Sequence, residues 1–172
     1  MNTDITPKMN SSLVSDQTLT SMQVSGATDD FVQRVRLTLV DDLGQAAVRF
    51  TSPVGGEPLR DLLRRARPGE DVILASYSLF KEAGPFREFG PVYISAAELK
   101  FARDEDVFES DYFGDELVLR AYTPQRWIKQ AERVSKSEAR GVIRSWLSDP
   151  GTLFVDARFP TYGCFACRFN RL

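Results

Sequence analysis

The chain has 172 residues, 42% hydrophobic and 27% charged, with 22 Lys and Arg against 24 Asp and Glu. That balance suits a soluble domain with its own core and excludes a wholly disordered chain, while a net charge of −2 and the lack of any long apolar run argue against nucleic-acid and membrane partners. No histidine is present and Cys164 and Cys167 are the only cysteines, which removes Ser-His-Asp and Cys-His catalysis, the commonest transition-metal ligand and any disulfide scaffold.

Residues 1–29 are dominated by Ser, Thr, Asn, Asp and Gln with no apolar period, and read as a disordered tail that adds nothing to the fold. They lack the basic, then apolar, then small-residue order of a secretory signal, so a cytoplasmic location is expected. The folded domain is expected over 30–172, opening with a half-buried strand in which Phe31, Gln33, Val35, Leu37 and Leu39 alternate with Val32, Arg34, Arg36 and Thr38. A second strand is predicted over Ala46–Thr51, followed by a turn at Pro53–Gly56. The Gly55-Gly56 pair there has no G-K-S/T after it and is not a phosphate loop.

Leu59, Leu62, Leu63 and Ala66 follow helical spacing, with Arg60, Arg64 and Arg67 opposite them, so local pattern predicts a short helix ended by Pro68-Gly69. Strands are predicted over Asp71–Tyr77, Pro91–Ser95 and Leu117–Tyr122, the last pairing with Trp127–Val134. The main helix is expected at about 136–148, where Ala139, Val142, Ile143, Trp146 and Leu147 form one apolar stripe. Ser135 or Ser137 caps its start, and Asp149-Pro150-Gly151 ends it. Phe154–Arg158 and Phe165–Phe169 read as a closing pair of strands around Pro160–Gly163. The expected class is α+β, a largely antiparallel sheet with one main helix packed on a face.

Four segments carry a resemblance. They are Gly56–Arg60 with Arg67–Glu70 (G-E-P-L-R, R-P-G-E), Gly84–Tyr93 (G-P-F-R-E-F-G-P-V-Y), Leu119–Tyr122 (L-R-A-Y) and Tyr162–Arg171 (Y-G-C-F-A-C-R-F-N-R). Over residues 56–172 the chain resembles the uncharacterised bacterial proteins grouped as domain of unknown function 1203. The resemblance implies an α+β fold and brings no activity, substrate or cofactor. It also implies an extended Pro58–Leu63, against the local helix pattern. Family members often carry Cys where this chain has Leu59 and a small residue where it has Cys167, so a working Cys164–Cys167 pair is not implied.

The Cys164-Phe165-Ala166-Cys167 motif is the sharpest chemical signature. Only five residues follow Cys167, too few for the helix whose N-terminus activates a thioredoxin-like thiol. On a strand, residues three apart face opposite ways and lie about 10 Å apart, beyond disulfide reach. A zinc site would need ligands from a second copy, so buried structural thiols are the better reading and no metal or cofactor is expected. Residues 104–116 hold Asp104, Glu105, Asp106, Glu109, Asp111, Asp115 and Glu116 without calcium-loop spacing, which reads as a solvated acidic loop pinned by Phe108, Tyr112 and Phe113.

Arg60, Arg87, Arg120 and Arg168 each lie inside a resembling segment. Either Arg60, Arg87 and Arg168, with Arg120 a lesser candidate, converge on an anion site, or they form structural ion pairs with Glu70, Glu88 or Asp156. Two functions stay open. One is a small-molecule or anion-binding domain with an arginine-lined site. The other is a protein-interaction domain without chemistry that uses a sheet edge or aromatics such as Trp127, with self-association open.

Overall fold

The structure, a computed structural model, describes residues 21–99 and 106–172. The expectations for residues 1–20 and for Asp104 and Glu105 lie outside those described residues. Along the chain run β1 (Met22–Ser25), α1 (Asp29–Thr38), β2 (Val48–Thr51), β3 (Pro58–Leu59), β4 (Arg64–Arg65), β5 (Asp71–Ser78) and β6 (Phe89–Ser95). They are followed by β7 (Glu116–Tyr122), β8 (Ile128–Ser135), α2 (Lys136–Ser148), β9 (Phe154–Arg158) and β10 (Phe165–Arg171). Among the described residues the strands form two five-stranded sheets, ordered β1-β10-β9-β7-β8 and β2-β5-β6-β3-β4. The pairing is antiparallel apart from β3 beside β6. The described residues are thus mostly β, with largely antiparallel sheets, and they hold two sheets and two helices where a single sheet and one main helix were expected. Neither helix is long and apolar enough to cross a membrane.

The helix α2 forms where its periodicity predicts. Ser135 accepts a hydrogen bond from the Glu138 N–H, satisfying one of the free donors of the first turn, and Pro150 follows the last residues as a stop. Its buried side chains Ala139, Ile143 and Leu147 pack on one face of the first sheet, against Leu117, Leu119, Ala121, Val155, Ala157 and Phe169. β9 is the middle strand, and all five of its residues are buried because both faces are covered.

The N-terminal expectations need correction. Met22–Ser25 is a strand paired antiparallel with β10, and Met22 and Val24 pack against the α2-side core, so the folded region begins before residue 30. Gly26 lets this segment dock: its Ala27 neighbour donates to the Arg60 carbonyl at 2.9 Å, and a Cβ on Gly26 would stand 1.6 Å from that oxygen. Phe31–Leu39, expected as a strand, belongs mostly to helix α1. Asp29 and Asp30 occupy its first turn, where negative charge favours a helix start, and Phe31, Val32 and Val35 form its buried stripe. Leu37 and Leu39, which completed the apparent alternation, are both exposed, Leu37 at 87%.

The helix expected around 59–66 is instead the tight β3–β4 hairpin: Pro58–Leu59 is extended, but residues 60–63 form the turn, so the extended Pro58–Leu63 that the resemblance implied holds only at its start. Leu63 takes a left-handed backbone (φ 48°), which breaks a helix, and its N–H bonds to the Leu59 carbonyl at 2.8 Å. The apolar set still becomes core: Leu59, Leu62, Leu63 and Ala66 are all buried, through a turn rather than a helical stripe.

Candidate functional site

The face of the first sheet away from α2 carries charge. Strand register places Arg120 and Arg168 on either side of Asp156, on β7, β10 and β9, with Ser25 of β1 next to Arg168. Asp156 is fully buried at the centre of the sheet. Arg168 grips it with both arms of its fork, Nε to Oδ1 at 2.7 Å and Nη2 to Oδ2 at 3.0 Å. Burial raises the Asp156 carboxyl above its ordinary range, and Arg168 pulls against that rise. The Arg168 guanidinium lies over the Phe154 ring, 3.6 Å from its centroid, and near Phe80 at 5.3 Å.

This row opens on a cleft of about 690 Å³ between α1, the turn after β5, and the start of β9. Phe31, Tyr77, Phe80 and Phe154 supply buried aromatic walls, and Leu153 a partly exposed apolar one. Burial raises the Tyr77 phenol above its ordinary value, and Thr28 at the start of α1 pulls against that rise. The lining cations are Arg34, Lys81, Arg87, Arg126 and Arg168, set against the acids Asp30, Asp42 and Glu82. Arg34 pairs with Asp42, Arg126 with Glu82 at 2.7 Å, and the exposed Lys81 comes within 3.8 Å of Asp30. Arg87 has no carboxylate partner among the described residues and lies over the Phe89 ring at 5.1 Å.

The structure therefore brings Arg87 and Arg168 together in one cleft and leaves Arg60 and Arg120 out of its lining. Arg60 does not converge with them. It is 2% exposed, donates through Nε to the Phe165 carbonyl at 2.8 Å and through Nη1 to that of Pro58, and lies over Phe159 at 5.0 Å. Burial pulls its pKa below the usual arginine value, and its role is to tie the β3–β4 hairpin to β10. Arg120 is 3.9 Å from Glu88, which Arg158 also contacts directly. Of the three acids weighed from sequence as partners for these arginines, Asp156 is paired with Arg168 and Glu88 with Arg120, while Glu70 is taken by Arg64 in two 2.8 Å bonds. Arg34, Lys81, Arg126 and Tyr77 escaped sequence reasoning. Arg34 stood in a segment read as a strand, and Arg126 sits in a turn with left-handed backbone (φ 61°) that no local motif announces.

Both cysteines carry free thiols. Cys164 lies just before β10, and Cys167 is buried on the α2 side of that strand, where loss of hydration pushes its thiol well above the ordinary value and keeps it protonated. In the acidic segment, Asp106 pairs with Arg140 of α2, and Phe108, Tyr112 and Phe113 are buried in the core. The fully buried Tyr112 donates its hydroxyl to the Ala166 carbonyl at 2.8 Å.

Among the described residues these features define a mostly β protein of two antiparallel-rich sheets with two helices, and a charged inner face that opens on an arginine-bearing cleft. The chain belongs to the family described as Protein of unknown function (DUF1203), which it matches over residues 56–171. No curated protein and no solved structure matches it. The matched span contains Tyr77, Phe80, Arg87, Arg126, Phe154 and Arg168, whereas the wall built by Thr28, Phe31, Arg34 and Asp42 precedes it.

Proposed function

We propose that the cleft binds a small organic anion, with Arg87 as the principal contact and Arg168 as a second donor on its floor. The observation that carries this reading is Arg87, the lining cation that no acid neutralises among the described residues. Arg168 suits the second role because Asp156 and Phe154 fix its plane while its Nη1 makes no hydrogen bond among the described residues. A planar donor held by its neighbours loses little freedom on binding, which favours affinity. Interaction through a sheet edge has less support: the outer strand β8 carries Lys129, Glu132 and Arg133, charges of the kind that discourage addition of another strand.

The test is a titration of acetate and inorganic phosphate into the wild type and into Arg87→Ala, following the melting temperature at constant ionic strength. Wild type should gain stability with at least one anion, and Arg87→Ala should lose that gain. A wild type indifferent to every small anion tried would end the reading.

A further inference from the structure

The charge balance of the cleft narrows what it can hold. Four of its five cations already answer an acid: Arg34 to Asp42, Arg126 to Glu82, Lys81 to Asp30, and Arg168 to Asp156 beneath the floor. Arg87 alone is left over among the described residues, so the site lacks a single negative charge. A phosphate dianion would bring one charge too many into a region that already holds Asp30, Asp42 and Glu82. A carboxylate brings one, and its two oxygens match the flat donor fork of an arginine.

The rest of the cleft asks for more than a carboxylate. A volume of about 690 Å³ far exceeds one carboxyl group, and beside the charges stand Phe31, Leu79, Phe80 and the 42% exposed Leu153. Phe31, Leu79 and Phe80 are buried and only back the wall, but water against Leu153 gains little, and an apolar body that displaced it would add affinity. Resting on the reading that the cleft binds an anion, we propose that its ligand class is a monocarboxylate with an apolar or aromatic body. The carboxylate meets Arg87 and the open Nη1 of Arg168, and the body lies along Leu153.

The experiment compares three probes on the full chain, acetate, benzoate and inorganic phosphate, by thermal shift and by calorimetric titration. Benzoate should bind at least about tenfold more tightly than acetate, since burying the ring surface of even a small body is worth that factor. Phosphate should be the weakest of the three. Leu153→Ser, a change at a partly exposed position, should erase most of the benzoate advantage over acetate; Arg87→Gln should weaken both carboxylates. If phosphate binds as well as benzoate or better and Arg87→Gln abolishes it, the anion site stands and the monocarboxylate assignment falls. Benzoate no tighter than acetate, or a benzoate advantage untouched in Leu153→Ser, overturns the assignment in the same way. If no probe shifts the wild type, the site and its ligand class fall together.

Discussion

The two faces of the β1-β10-β9-β7-β8 sheet are built from the same strands by opposite means. Toward α2, the residues Leu119, Ala121, Val155, Ala157, Cys167 and Phe169 form a surface without charge, on which Ala139, Ile143 and Leu147 rest. One residue out of register with these, Arg120, Asp156, Arg158 and Arg168 point the other way and meet Glu88 and Phe80 from the β5–β6 side. The apolar face gains from area alone and tolerates no polar atom without a partner. The charged face gains little net stability from its pairs, because desolvation offsets their attraction, and such an arrangement is better suited to holding groups in place for a ligand. The cleft opens on the charged face.

The sharpest way to break this contrast is Arg168→Ala, which leaves the Asp156 carboxyl buried with its main partner gone. At neutral pH the loss should be about 3–5 kcal/mol, read from urea unfolding. The penalty should shrink on acidification. Burial raises the folded-state pKa of Asp156 above the unfolded value, so without Arg168 the folded protein takes up the proton first and regains stability as pH falls through that raised pKa. A penalty that is constant with pH would mean the carboxylate finds other partners.

On the opposite face, Ile143→Ala should cost about 2–5 kcal/mol through lost transfer energy and a cavity, with no pH dependence of its own. The two variants therefore differ in the shape of their pH profiles more than in size. Gly26→Ala should come next, at about 1–3 kcal/mol, because its Cβ would collide with the Arg60 carbonyl and push β1 off β10. Hydrogen exchange confined to β1 and the β10 edge would show it, and wild-type protection there would contradict the docking.

Away from both faces, Glu70→Gln should cost about 1 kcal/mol or less, since the Arg64–Glu70 pair is partly open to water. The Arg64 hydrogen bonds depress the Glu70 pKa, so its contribution is present above the unfolded value and is lost as pH falls through the folded one. Wild type and variant should thus converge at acid pH. The smallest stability effect belongs to Arg87→Ala, within about 0.5 kcal/mol, because no carboxylate is stranded. A large loss there would show that Arg87 is structural, and the contrast with Arg168 would disappear.

Some of this was legible from residue order alone. The bounds of α2 follow from one apolar stripe, a serine cap and Asp149-Pro150, all within a single segment. β5, β6, β7, β9 and β10 announce themselves by dense apolar runs, and the Arg168–Asp156 pair was among the alternatives that composition and motif position allowed. Tertiary structure decided the rest, because the deciding partner is distant in the chain. Phe31–Leu39 alternates well enough for a strand, yet becomes a helix because Phe31, Val32 and Val35 find cover against Tyr77 and its neighbours in β5. Met22–Ser25 has too little apolar surface to order itself and does so only on the edge that β10 offers. Arg60 and Arg168 look alike in sequence; one caps backbone carbonyls up to 105 residues away, and the other answers an acid 12 residues away across a strand pair. A long charged side chain has no preferred partner of its own, so its role is set by whichever oxygens the packed strands bring within reach.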